Sequence, residues 1–197
     1  RWMLDAALER GDADAPSLAR VADLLAAFYA AAEPAITQPG LLGQRMHAQV
    51  DANHLVLRTL DDARAALLAG RQHAILAGLE VELDLRAARG CVVEAHGDLR
   101  PEHILLSEPP AVIDCLEFDR NLRILDRAEE LCFLELECAR LGHAPVGLWL
   151  LEECLRQGLS NIGVGPLCDP AAVAAAAQAG LGAILDVELG NVRPLGL

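Results

Sequence analysis

Two carboxylates in this chain stand where chemistry needs them. Asp98 lies in His96-Gly97-Asp98-Leu99-Arg100-Pro101-Glu102-His103, and Asp114 in Ile113-Asp114-Cys115-Leu116-Glu117-Phe118. Asp98 follows a glycine and shortly precedes a proline, which predicts a shaped loop rather than a helix. Asp114 ends Ala111-Val112-Ile113, a β-prone run after the Pro109-Pro110 break. A loop carboxylate placed to accept a proton and a strand-end carboxylate placed to hold a metal are what phosphoryl transfer from ATP requires. Either aspartate alone reads as a turn former or a strand-end polar group; the inference rests on the ordered set.

The elements that must hold these loops are mostly helical. Ser17 predicts the cap of a helix running to about residue 33, with Leu18, Val21, Leu24, Leu25 and Phe28 on one face and Pro34 beyond its end. Pro39-Gly40 marks a loop. Thr59-Leu60-Asp61-Asp62 resembles a capping-box start for a helix to about residue 69, and a longer helix is expected over 71–89, closed by Gly90. Val92-Val93, Ile104-Leu105-Leu106 and Ala111-Val112-Ile113 are short strand candidates. The pattern turns helical from Asp126 to Leu141, with Gly142 as the stop, and again from about residue 146 to 157.

Composition bounds the class. The 197 residues suffice for one good core, and 53% apolar residues with only 3% aromatics argue for an Ala/Leu-rich helical protein. A formal charge of −13 without a basic stripe argues against a nucleic-acid or anionic-membrane partner. The sequence shows no secretory signal and no apolar run long enough to span a bilayer, and a cytoplasmic location is expected. The six cysteines form no CxxC pair and read as reduced, buried small residues, with a disulfide framework as the lesser alternative. All sixteen basic residues are arginine; there is no lysine.

Together, His96-Gly97-Asp98 and Ile113-Asp114, continued by Glu117-Phe118, Arg123-Ile124-Leu125-Asp126 and Glu129-Glu130-Leu131-Cys132-Phe133-Leu134, resemble the catalytic and metal-binding segments of the aminoglycoside phosphotransferase and choline kinase-like family. The resemblance covers about residues 1–157. It implies an α-rich α+β fold, the C-terminal lobe of a protein-kinase-like architecture, with ATP, Mg²⁺ and a small-molecule hydroxyl acceptor as partners. It makes Asp98 the catalytic aspartate that orients or deprotonates the acceptor hydroxyl, and Asp114 the metal-binding aspartate. It makes Asp126 the acid that braces the catalytic loop, and His96 that loop's structural histidine. His103 stands where most members carry an asparagine as second metal ligand, and imidazole nitrogen suits Mg²⁺ poorly. Another reading of His96, Asp98 and His103, as a transition-metal cluster, matches no known metallohydrolase spacing. His47, His54, His73 and His143 read as surface or packing residues; Glu117 reads as a metal neighbour or as a salt-bridge partner of Arg120 or Arg123.

The residues before the motif contain no glycine-rich phosphate loop, no succession of strands and no lysine. Arg1-Trp2-Met3 resembles the crossing from the N-terminal lobe into the C-terminal one, so the expectation is a C-lobe without its ATP cradle and with weak or no catalysis. A non-catalytic, pseudokinase-like binding or scaffolding module is the alternative.

The tail reads differently. Asn161-Ile162-Gly163-Val164-Gly165 is strand-like, Asp169 caps an alanine-rich helix with Pro170 at its first position, and 184–189 alternates like a strand. This βαβ pattern, from about residue 150, resembles part of the C-terminal domain of microcystinase C-like (M81) metallopeptidases, without any residue of that family's metal-binding motif. The expected division is a kinase-like lobe over 1–150 and a tail segment over 151–197, either foreign in origin or a variable C-terminus.

Overall fold

The computed structural model describes residues 2–36 and 38–159. These residues hold six α-helices and four very short strands, with short 3₁₀ turns at Pro101–His103 and Arg120–Arg123 and a π-helical turn after the last helix. In chain order they are α1 (Leu4–Arg10), α2 (Ala15–Ala31), α3 (Leu41–Leu57), α4 (Asp62–Ala88), β1 (Val92–Glu94), β2 (Ile104–Leu105), β3 (Ala111–Val112), β4 (Ile124–Asp126), α5 (Arg127–Arg140) and α6 (Ala144–Cys154).

Helix α2 begins earlier than its sequence suggests. Asp14, not Ser17, is the N-cap, and its side chain accepts the Ser17 backbone N–H at 2.8 Å. A carboxylate caps a helix as well as a hydroxyl does, and Pro16 fits the first turn, where its missing N–H costs nothing. Leu18, Val21, Ala22, Leu25 and Tyr29 form the buried stripe, whereas Phe28 is 43% exposed.

The two helices expected over about 59–69 and 71–89 are one. Asp61 caps α4 by accepting the Arg64 N–H, and the ladder runs unbroken through Gly70 to Ala88. One glycine in a helix costs roughly 1 kcal/mol, and the turns on either side outweigh it. Helix α4 ends at Gly90 with φ 73°, where a Cβ would also meet the Pro34 ring at 2.7 Å. Glycine is required there for both reasons.

Strand β1 pairs antiparallel with β4, Val93 opposite Leu125, and β2 pairs antiparallel with β3, Ile104 opposite Val112. Strand β4, absent from the sequence reading, has only three residues and lacks a period long enough to read. Because successive side chains of a strand point to opposite faces, β1 serves two cores. Val93 joins Leu4, Val21, Leu99, Ile104, Leu131, Leu134, Leu150 and Leu151 in the main core. Val92 joins Ile36, Leu42, Leu83, Ala87 and Ile124 beneath the α3–α4 hairpin.

Leu150 and Leu151, both buried, lie side by side in α6, so the expected division at that point falls inside a packed helix. The βαβ elements expected after residue 160, and Cys168, lie outside the described residues. Cys91, Cys132, Cys138 and Cys154 are buried free thiols as expected, but Cys115 is exposed because its strand-end loop turns outward. Among the described residues no helix is long and apolar enough to cross a membrane.

Candidate functional site

The segment 96–103 leaves β1 as a loop with Gly97 at φ 88°. Its shape is fixed by hydrogen bonds from both ends. Glu130, 2% exposed on α5, accepts the backbone N–H of His96 at 3.1 Å and that of Gly97 through its other oxygen. The hydroxyl of Tyr29 donates to the same carboxylate at 2.5 Å. Three donors on one buried carboxylate hold the loop against α5 and α2. Burial and the neighbouring Glu130 charge push the Tyr29 phenol well above its ordinary value, so it stays a donor.

This arrangement corrects the role given to Asp126. The Asp126 carboxylate binds the buried Arg86 guanidinium in a fork, 2.5 and 2.6 Å, and caps α5 by accepting the Ala128 N–H. Loop bracing falls to Glu130, one helical turn later. Tyr29 carries a detectable signal in hindsight: it is the sole tyrosine and sits on the apolar face of α2, where a buried hydroxyl needs a partner. Glu130 carries none beyond its place four residues after Asp126.

His96 is spent on structure. Its Nε2 donates to the Ile113 carbonyl at 2.8 Å, while Nδ1 lies 3.3 Å from the Asp98 backbone N–H as acceptor. One imidazole thus ties the Asp98 loop to the residue before Asp114, and both its nitrogens are engaged. That removes it from any metal cluster with Asp98 and His103, and among the described residues no group of three or more His, Cys, Asp or Glu side chains is placed to hold a metal.

His103 lies between the two aspartates. Its Nδ1 donates to the Asp98 carbonyl at 2.8 Å and sits 3.8 Å from Asp98 Oδ2; its Nε2 is 3.5 Å from Asp114 Oδ2. The Ile113 N–H donates to the His103 carbonyl at 2.9 Å, closing the β2–β3 pairing just before Asp114. Asp114 adopts φ 64°, a left-handed conformation that aspartate tolerates, and its side chain is 78% exposed. The Asp98 side chain, 26% exposed, is mostly covered and paired with Arg100, whose Nε reaches Oδ1 at 2.6 Å while the guanidinium lies over the Phe133 ring.

The donor set fits a magnesium ion through Asp114 alone. Magnesium takes oxygen ligands and completes its octahedron with water or phosphate, and the His103 nitrogen is a poor member of that set. Glu117 is not the partner of Arg120 or Arg123: both arginines bind Glu94, at 2.8 and 2.5 Å, and hold its carboxyl below the usual range. Glu117 instead lines a cleft of about 660 Å³ with Leu24 and Phe28 of α2, His96, Cys115 and Arg123.

Three comparisons bear on these residues. The family model described as MlrC C-terminus matches residues 142–195, which begins at the entry to α6 and covers the tail that resembles microcystinase C-like proteins. The uncharacterized protein Rv2004c of Mycobacterium tuberculosis is 33% identical over 108 residues, 54% of this chain and 20% of the relative. The uncharacterized protein Mb2027c of Mycobacterium bovis matches to the same extent. The chain therefore spans about a fifth of the length of these curated relatives. No solved structure matches it.

Proposed function

We propose that residues up to about 157 form the C-terminal lobe of an aminoglycoside phosphotransferase-like domain, which supplies the acceptor side of ATP-dependent phosphoryl transfer to a small-molecule hydroxyl. The observation that carries this reading is His103, with one ring nitrogen toward Asp98 and the other toward Asp114. Two carboxylates on either side of one imidazole, on loops fixed by Glu130 and His96, suit a reaction whose catalysis is mainly positioning and charge neutralisation.

In this reading Asp98 accepts or orients the acceptor hydroxyl proton, and Arg100 keeps its carboxylate in place. Asp114 would hold Mg²⁺, which neutralises charge on the transferred phosphate when bound. His103 positions both acids, and Glu130 with Tyr29 keeps the loop from drifting. The apolar cleft beside His96 and Glu117 offers room for the acceptor. This sequence contains neither a lysine nor a glycine-rich phosphate loop, so the chain by itself is expected to transfer little or no phosphate.

Arg100 supports a second reading. Its tight pairing with Asp98 ties up the base, as a pseudokinase-like binding module would allow. Calorimetry with MgATP separates the two: the first reading predicts Mg²⁺-dependent nucleotide heat that falls in Asp114→Ala, and the second predicts none. A radioactive phosphate-transfer assay over a panel of hydroxylated acceptors adds the activity test. Turnover abolished by Asp98→Ala would establish catalysis and overturn the expected inactivity. The tail match supports no peptidase reading by itself, and the purified protein is expected to show no zinc-dependent peptide hydrolysis.

A further inference from the structure

The α3–α4 hairpin carries a histidine pair that the proposed site does not use. His47 on α3 and His73 on α4 face each other with Nδ1 to Nδ1 at 2.6 Å. Their ring planes differ by 12° and their centroids are 4.9 Å apart. So short an N···N distance at that centroid separation puts the rings edge to edge, each Nδ1 on the axis of the other. Asp51, one turn beyond His47 on α3, places Oδ1 2.9 Å from His73 Nε2. With its Nε2–H donated to Asp51, neutral His73 presents a bare Nδ1 lone pair across the seam, and His47 donates the shared proton to it.

We propose that His47 and His73 form a two-histidine site for a divalent transition ion of the Zn²⁺ class, in which the metal takes the place of the shared proton. Imidazole nitrogen is a preferred ligand for such ions. Zn–N bonds of about 2.0–2.1 Å in tetrahedral geometry set the two nitrogens roughly 3.3 Å apart. Reaching that from 2.6 Å requires the nitrogens to part by roughly 0.7 Å and each ring to tilt by about 35°, so that its lone pair meets the metal off the N···N axis; the His73 side chain, 33% exposed, has room to turn. On binding, the His47 proton moves from Nδ1 to the outer Nε2 through solvent, so both rings ligate as neutral imidazoles and no net charge is lost. Asp51 then fixes the tautomer and orientation of His73, the usual carboxylate–histidine–metal relay. Water fills the remaining positions, so this is an open site. Because each ring must be unprotonated, affinity falls as pH falls.

The test is calorimetric titration of Zn²⁺ into the full chain at pH 7.5, under reducing conditions without chelating buffer. His47→Gln and His73→Gln are each expected to weaken binding by about tenfold or more, and Asp51→Asn by a smaller factor. His103→Gln and Cys115→Ser are expected to leave it intact. Unchanged affinity in His47→Gln, loss in His103→Gln or Cys115→Ser instead, or no binding up to millimolar Zn²⁺ overturns the proposal. Imidazole NMR on the unmutated chain guards against a misfolded variant: the His47 and His73 resonances must shift together on Zn²⁺ addition, and a shift confined to other histidines refutes the site.

Discussion

Tyr29 and Glu130, 101 residues apart in the chain, meet in the core with the phenol hydroxyl 2.5 Å from Glu130 Oε2. The carboxylate that receives this bond also receives the first amides of the Asp98 loop. Helix α2, whose register is set by its apolar stripe, thereby helps to hold a loop it does not adjoin in sequence.

Removing either partner should separate strength from placement. Tyr29→Phe leaves Glu130 with its two backbone donors and should cost about 1–2 kcal/mol in urea unfolding. Glu130→Ala strands a buried phenol and two amides, and about 3–4 kcal/mol is expected. Hydrogen exchange at the Gly97 amide should accelerate in both variants, and more in Glu130→Ala. An unchanged Gly97 rate in Glu130→Ala would show that the loop is held by other contacts.

Arg86 and Asp126 are both buried, so breaking the fork differs from replacing it. Asp126→Ala takes both fork bonds from a buried guanidinium and should destabilise by about 3 kcal/mol or more. The double variant Arg86→Met/Asp126→Leu should recover a large part of that loss, read as the urea midpoint. A double variant no better than the single would mean that the α5 cap at Ala128, lost in both, dominates the cost.

Alkaline pH should unfold the protein cooperatively. Burial pushes the Cys132, Cys138 and Cys154 thiols from 9.0 up to about 12, and holds the Tyr29 phenol above its ordinary 10.0. These groups stay neutral in the fold but ionise in the unfolded chain. Their contribution is therefore whole below about pH 9 and is lost as pH rises through 9 to 12. Urea midpoints measured from pH 8 to 11 should fall, less steeply in Tyr29→Phe above pH 10. A flat profile would contradict the burial of these groups.

Gly147 is where α6 meets α5. A Cβ there would lie 2.8 Å from Cys138 Cβ and from the Glu135 backbone carbonyl oxygen. Backbone cannot yield as a flexible side chain would, so Gly147→Ala should lower stability by about 1–3 kcal/mol despite alanine's better helix propensity. Thermal unfolding checks this; a rise in Tm would mean that the helices separate freely.

Local chemistry was legible wherever it acts within a few residues. The shaped loop at Asp98, the strand end at Asp114, helices α2, α5 and α6 and the stop at Gly90 follow from turn, cap and periodicity signals, whereas α3, absent from the sequence reading, buries only Leu42, Gly43 and Val50 and so carries little apolar periodicity. Boundaries failed where two local solutions compete. Asp14 and Ser17 both suit a cap, and Gly70 reads equally as a break or as a tolerated glycine inside α4.

The sequence by itself determined a largely helical chain, the placing of two aspartates on loops beside short strands, and a basic complement made of arginine alone. Only the tertiary structure decided which acid holds the Asp98 loop. Asp126 and Glu130 stand one turn apart at the start of α5, so periodicity assigns them the same face. Their partners come from elsewhere: Arg86 from α4 for the first, Tyr29 from α2 and the amides after β1 for the second. A buried carboxylate takes its role from the donors that reach it, and those donors are brought together by packing between distant segments.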